Sequence, residues 1–373
     1  MHIIVLPASG IEGTDYRKIE ADIDSPSARL GHTASVIDDQ IYIYGGSDTI
    51  GGAPISENGV VWVFDTTSNK WSKIVPDAQS VTPKDRMHHA SVATDRPRKP
   101  FRRTDEGTAP QAPLDPARAD ILPEPEAANT YGTFIIHGGA GHAQSYTDMY
   151  TFDIAARTWS ELQTPPVPAG STPSPTLAMV GQRLYTFSAG QTLYMDLGKA
   201  TFSDKGGQGE LGVTPLGPWT ALPIDVEGHK SGPAERNGAA LIPVTTGQGR
   251  NYLILIGGGP PSGLQSTSTA AESLQDIWVL QLKPEGMTAA SFKDAARMAI
   301  GATTRENRWS ECKYYGPNDV LVQEGQAGRG VGDRIGSAVS RDPEVDGNTI
   351  LLWGGHGSDD KIRGDGLLIT ISI

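Results

Sequence analysis

Residues 28–48 read ARLGHTASVIDDQIYIYGGSD, and residues 60–74 read VVWVFDTTSNKWSKI. Each half holds two short runs of alternating apolar and polar residues bounded by turn-forming residues, so the stretch spells four strands in a row. The second strand closes on Gly45-Gly46, and the fourth carries Trp71.

The same order recurs along the chain. A second copy runs from Arg86 through TFIIHGGAGHA (133–143) to TDMYTFDIAARTWSEL (147–162), with a long interruption after its first strand. The third is TPSPTLAMVGQRLYTFSAGQTLYMDL (172–197) followed by PWTAL (218–222), with Ser188-Ala189 where the others have Gly-Gly. The fourth is assembled from ERNGAALIP, YLILIGGG, LQDIWVLQL and NRWSEC (307–312), and the fifth from DRIGSAVS, TILLWGGHG and GLLITISI. Gly-Gly lets the backbone turn sharply at a strand end, and the Trp at 71, 159, 219 and 309 supplies a rigid plate for packing between sheets.

A period near 50 residues with four strands, Gly-Gly after the second and an aromatic in the fourth resembles the kelch repeat of β-propellers. The resemblance covers the chain from Tyr16 onward and implies an all-β propeller of five four-stranded blades, with a degenerate sixth blade within the inserts as the alternative. The fifth copy lacks a fourth strand. Because YRKI (16–19) reads like WSKI (71–74), the N-terminal strand is expected to pair with the last blade, with Tyr16 at the Trp position, and so hide both sheet edges. The chain is read as one propeller domain, 1–373. It carries a flexible Pro-rich insert at 95–130 and a helical insert at 284–304, whose Ala, Phe, Ala and Met spacing suits packing under the ring. Residues 198–212 read as a glycine-rich loop without phosphate-loop spacing.

Composition narrows the setting. Of 373 residues, 45 are Gly and 27 Pro, which leaves little room for long helices. Neither a signal peptide nor a run of about 20 apolar residues is evident. With one cysteine, Cys312, no internal disulfide forms, and a reduced, cytoplasmic location is expected. A formal charge of -12 argues against nucleic acid as a partner.

Alignment at the start of strand one places Arg29, Arg86, Arg236 and Arg334 at one position, with Thr172 in the third copy. Strand one is innermost in a propeller blade, so the four guanidinium groups are expected to converge at one mouth of the channel as a ligand-binding ring suited to carboxylate, phosphate or a polarised carbonyl. Converging cations need compensation, and Asp48, Asp333, Asp359 and Asp360 are the candidate counter-charges, Asp48 also as a ligand contact. His32, His142 and His356 are candidate general acids or bases at that mouth; His89, three residues after Arg86 as His32 is after Arg29, reads as structural.

Known kelch-type metal sites are not matched. Galactose oxidase resembles the chain in its ring, but its copper site needs a cysteine crosslinked to tyrosine, and Cys312 sits in a fourth strand. The iron pattern E-x-x-x-D-x-x-x-H of nitrile specifier proteins finds Glu272 and Asp276 here, then Leu280. No metal or other cofactor is therefore expected. The arginine ring suits a cofactor-independent site for a small molecule with an anionic or carbonyl group, and the resemblance to stand-alone kelch proteins of specialised metabolism implies a cyclisation or addition there (lyase, isomerase or pericyclase-like). The alternative is a scaffold binding an acidic or peptide protein partner on the same face. No membrane partner is expected.

Overall fold

The computed structural model describes residues 2–5, 15–21, 23–49, 52–97, 131–166, 175–204, 207–223, 232–260, 274–284, 286–299, 304, 306–315, 320–322, 330–332, 334–341, 349–357 and 361–371. The chain forms a five-bladed β-propeller of antiparallel sheets. Blade 1 is β3 (Thr33–Ile37), β4 (Gln40–Tyr44), β5 (Val61–Asp65) and β6 (Lys70–Ile74). Blade 2 is β7 (Ala90–Thr94), β8 (Thr133–Ala140), β9 (Ser145–Asp153) and β10 (Thr158–Leu162). Blade 3 is β11 (Ala178–Val180), β12 (Arg183–Ser188), β13 (Gln191–Asp204) and β15 (Thr220–Ala221), with β14 (Gly207–Pro215) also pairing with β13. Blade 4 is β16 (Ala240–Thr245), β17 (Asn251–Ile256), β18 (Ile277–Gln281) and β19 (Trp309–Glu311), and blade 5 is β20 (Ala338–Arg341), β21 (Thr349–Trp353) and β22 (Gly366–Thr370). First strands of successive blades are neighbours from β3 to β20. Among the described residues, no helix is long and apolar enough to cross a membrane.

Alternation along the strands dictates how blades stack. In β3, Ser35 and Ile37 turn toward blade 2, where Ser35 Oγ meets Ser91 Oγ at 2.8 Å. Tyr42, Tyr44, Val61 and Val63 share a buried cluster with Phe134, Phe152 and Trp159 of blade 2. Corresponding clusters join blades 2 and 3, 3 and 4, and 4 and 5. The Trp of the fourth strand of blades 2, 3 and 4 is the wedge at the first three junctions, and the junction of blades 4 and 5 is aliphatic. Trp159 lies against Tyr44 and Phe152, and its Nε1 donates to the Gly59 carbonyl of blade 1 at 2.8 Å. Trp219 donates to Gln163 O and Trp309 to Thr192 Oγ1, so the indole N–H that burial would orphan is satisfied each time.

No such cluster bridges blade 5 and blade 1 among the described residues. Trp353 is 43% exposed, whereas Tyr44, at the same register in blade 1, is 3% exposed. Leu368 and, on the facing side of blade 1, Val36 are exposed too. The expected closure by the N-terminal strand differs as well. β2 (Asp15–Lys18) pairs with β1 (His2–Val5), placing Tyr16 opposite Ile4, and Tyr16 is 58% exposed instead of filling a Trp position. The near-neighbour apolar segment HIIV closes a short hairpin, and a short loop costs less entropy than a pairing across the chain.

Two further expectations change. Residues 198–212 are not a loop: β13 runs on for 14 residues and pairs with β14, from Leu197↔Pro215 to Asp204↔Gly207. Thr201, Phe202 and Val213 favour strand over loop. The helical insert contains α1 (Ala289–Ala299), but Phe292 points to solvent and not under the ring. Of the 95–130 insert, residues 98–130 lie outside the described residues.

The junctions make a ranked prediction. Trp159→Ala removes a plate buried in the blade 1–2 junction and should cost about 3–5 kcal/mol in denaturant unfolding. Trp71, which packs on Phe64 but is only half-buried, should cost less than half as much; equal losses would contradict the account of the open junction.

Candidate functional site

The four aligned arginines do not present their guanidinium groups to the channel. Each is stapled inside its own blade. In blade 1, Arg29 Nη1 and Nη2 donate to Glu57 Oε2 and Oε1, both at 2.8 Å, and Nη1 also reaches the Gly45 carbonyl at 3.1 Å. In blade 2, Arg86 grips Asp148 with two bonds of 2.6 and 3.1 Å and Gly138 O at 2.9 Å. In blade 4, Arg236 does the same to Asp276, at 2.6 and 3.1 Å, and to Gly257 O at 3.2 Å. In blade 5, Arg334 bonds Asp365 Oδ2 at 2.5 Å and Gly354 O at 2.9 Å.

The Nε atoms complete the pattern, donating to the carbonyls of Ser27, Lys84, Ala234 and Val331. Every staple thus ties the chain before strand one to the first glycine of Gly-Gly and to the approach to strand three. In blades 1, 2 and 4 the bidentate carboxylate geometry matches the planar guanidinium fork, while Arg334 takes one carboxylate oxygen and the main-chain carbonyl of Asp365. Aromatic faces add to it, with Arg86 4.7 Å from the Tyr146 ring centre.

Blade 3 explains by contrast what the staple is for. There β12 and β13 meet in a two-residue turn, Ala189-Gly190, with both φ angles positive (51° and 72°) and Ser188 paired to Gln191. Such a hairpin holds itself, so no arginine is needed to tether a wide connection. Thr172, expected at the blade 3 position, lies outside the described residues.

The counter-charges also differ from expectation. Glu57, Asp148, Asp276 and Asp365 fill the role. Asp48 is exposed and accepts a hydrogen bond from Thr49, because the strand-three approach, and not the tip of the loop, comes within reach of the guanidinium. Asp333, Asp359 and Asp360 lie outside the described residues. The arginine side chains are buried, and the carboxylates are the more exposed partners, so the mouth offers solvent the acidic side of each pair. For Glu57, burial pushes the pKa up, but hydrogen bonds from Arg29 and Trp62 outweigh it and the net shift is down. Asp276 behaves likewise under burial and its bond from Arg236.

The candidate histidines are dispersed. His142 is exposed on the blade 2 loop, and the backbone of half-buried His356 pairs with Ile335 in blade 5. His32 keeps solvent access facing the open junction, although surrounding protein and then the Arg29 charge lower its pKa. His89, at the equivalent register, is sealed between blades 1 and 2. Its Nε2 meets Thr33 Oγ1 at 2.7 Å, its Nδ1 has no hydrogen-bond partner, and burial holds its pKa well below 6.5.

Sequence reasoning passed over His88. It stands where the other stapled blades carry Gly31, Gly238 and Gly336, and it shares their left-handed backbone, with φ of 55°. Its amide donates to Gly31 O at 2.7 Å, as that of Gly336 does to Gly238 O at 2.8 Å, stitching neighbouring blades at the axis. Aligning the second residue after each arginine reveals it. Burial lowers its pKa too, as it does for His32 and His89, which favours the neutral imidazole in each.

Other features lie elsewhere. Among the described residues, no three His, Cys, Asp or Glu side chains are grouped to hold a metal. Burial pushes the Cys312 thiol up to about 11, which leaves it protonated and a poor nucleophile. A cavity of about 410 Å³ opens on blade 3, away from the staples, between Tyr194, Asp196, Leu216 and Thr220. Asp196 in its wall pairs with Arg183 at 2.6 Å.

Residues 28–76, which make up blade 1, match the family model of the Kelch motif. Two curated relatives are similar over a short stretch. The tRNA wybutosine-synthesizing protein 2/3/4 of Oryza sativa subsp. japonica is 36% identical over 72 residues, and that of Arabidopsis thaliana is 36% identical over 77 residues. These matches cover 19% and 21% of this chain but only 6% and 7% of the relatives. Among solved structures, YjhT aligns over 97% of this chain and 87% of its own, at 13% identity and a TM-score of 0.46.

The staples predict unequal mutational costs. Arg86→Ala or Arg236→Ala strands a carboxylate that is mostly buried and should cost about 3 kcal/mol. Arg334→Ala should cost much less, since Asp365 is 66% exposed, with urea titration as the readout. Acid stability follows from the histidines. His89 and His137 have depressed pKa values, His137 about 4, so the unfolded chain binds protons first. Their contribution is whole above pH 6.5 and is lost as pH falls toward the folded values, whereas Glu57 and Asp276 contribute only above their own lowered carboxylate range and are lost later. Stability should begin to drop near pH 6.5, and His89→Gln should blunt the early part of that drop.

Proposed function

We propose that this kelch-motif, five-bladed ring is a protein-interaction scaffold that docks its partner on the stapled face, its arginines building that face without contacting the ligand. The observation that carries the reading is the consumption of all four guanidinium groups by carboxylates and backbone carbonyls within their own blades. A small-molecule cyclisation site at the mouth needs unspent donors for an oxyanion, and these arginines have given theirs to the fold.

Apolar side chains on the same face supply what a docking surface requires. Past β19 the chain leaves blade 4 on the stapled side, where the Tyr314 hydroxyl accepts from Ile277 N at 2.6 Å. It then doubles back, with Tyr315 bridged to Leu321 and Val322 N donating to Tyr314 O. Tyr315 is 60% exposed, Leu321 45%, and Val320 is exposed beside them, while Ile362 is exposed on the loop between β21 and β22 of blade 5. Clustered aromatic and aliphatic side chains on rigid loops are typical anchors for a peptide or protein partner. The curated relatives are named for tRNA wybutosine synthesis, but this chain spans 6–7% of their length. A net charge of -12 favours a protein over RNA as the partner.

Tagged wild-type protein and a Tyr315→Ser/Leu321→Ser double variant, each used to capture partners from a lysate of the source organism, test the reading. The expected result is loss of the main captured protein, about tenfold or more, with an unchanged melting temperature. An unaltered capture profile would overturn the assignment of this face.

A further inference from the structure

We propose a second docking element on the other side of the ring: α1, whose outward arc inserts into an apolar, acid-rimmed groove on a protein partner. The helix is mounted with its polar side inward. At about 100° per residue, Phe292, Ala295, Ala296 and Ala299 share one arc, while Ala290 and Asp294 lie on the opposite one. Of the helix residues, Ala290 and Asp294 are the buried ones, whereas Phe292 is 63% exposed and Ala295, Ala296 and Ala299 are exposed as well. A surface helix ordinarily turns its apolar stripe to the core. This one is reversed.

Buried polar contacts fix that orientation. Asp294 Oδ1 accepts from Arg250 Nη2 at 2.6 Å, with both residues buried against blade 4. Thr288 and Ser291 cap the first turn reciprocally: Ser291 N donates to Thr288 Oγ1 at 3.1 Å and Thr288 N to Ser291 Oγ at 2.8 Å. The Ala290 amide reaches Gln248 O at 3.1 Å. Arg250 Nη1 and Asp294 Oδ2 remain without partners, so the ion pair holds the helix although its own hydrogen bonding is incomplete. A helix anchored this way cannot roll over to hide Phe292 without exposing the pair.

The arc itself states what fits it. One bulky anchor followed by alanines at the third, fourth and seventh positions is the spacing of a helix seated in a groove, with the alanines allowing close approach. So small an apolar area suits a groove better than a bilayer, where alanine contributes little. Lys293 lies on the helix itself and Lys283 in the segment leading into it, both exposed, and no ion pair engages either among the described residues. Arg297 is half-exposed. This local positive charge stands on a chain of net charge -12, which selects an acidic rim. It also disfavours self-association through α1, since two copies would bring lysine against lysine.

Photo-crosslinking from a benzoylphenylalanine placed at position 292 in the otherwise intact protein, in the source cells, tests the proposal. The crosslinked protein is then purified and its affinity measured by calorimetry. We expect one protein species whose binding weakens at least tenfold with Phe292→Asp, weakens with Lys283→Glu/Lys293→Glu and with added salt, and is unchanged by Tyr315→Ser/Leu321→Ser. That last arm separates α1 from the stapled face. Crosslinks only to a second copy, sedimentation with phosphatidylserine vesicles lost in Phe292→Asp, or no crosslink above that from exposed Val75 would each overturn it.

Discussion

A guanidinium group that reaches three parts of its own blade is the constraint around which this ring is organised. The second and third strands of a stapled blade diverge into a loop just where strand one begins, leaving carbonyls and carboxylates unpaired at the innermost point of the sheet. One arginine satisfies both, and it fixes the level at which Gly-Gly must turn. The positive φ of the second residue after the arginine then lets neighbouring blades exchange amide-to-carbonyl bonds at the axis. A glycine there avoids the cost of a side chain in that conformation, and His88 bears that cost.

The repeat could be read from the sequence because its signals are local: alternation within strands, Gly-Gly at 45, 138, 257 and 354, and Trp at 71, 159, 219 and 309. The alignment of Arg29, Arg86, Arg236 and Arg334 was equally legible, and their shared position stands. What the sequence could not convey was where each long side chain would lie. Glu57, Asp148, Asp276 and Asp365 come 28, 62, 40 and 31 residues after their arginines, with loops of different length between, so no fixed spacing marks the pairs. Asp48 looked nearer only along the chain. The inverted mounting of α1 was hidden for a related reason: periodicity identifies an apolar arc but not its direction, and the Arg250–Asp294 pair that decides the direction spans 44 residues.

Packing between blades follows a different logic from the staples. Four junctions are filled by side chains projecting from facing sheets, and three of them are wedged by tryptophan. The fifth leaves Trp353 in contact with solvent, at a register position that the other blades bury, and Leu368 and Val36 are exposed as well. Among the described residues, blades 2, 3 and 4 are packed on both sides, while blades 1 and 5 each have one side without a buried cluster. The two proposed docking surfaces sit at the ends of blade 4, one on each side of the ring, on an element flanked by filled junctions.

Because each of the four stapling arginines meets its counter-charge within the same blade, the inner end of a stapled blade is electrically self-contained. Lengthening such a chain by duplicating one unit adds a cation and an anion together, so repulsion does not accumulate around the axis however many units are strung in series. Loops beyond the staple can lengthen, shorten or change sign without disturbing that balance. An architecture neutralised unit by unit in this way is open to growth by repetition and to divergence at its rims.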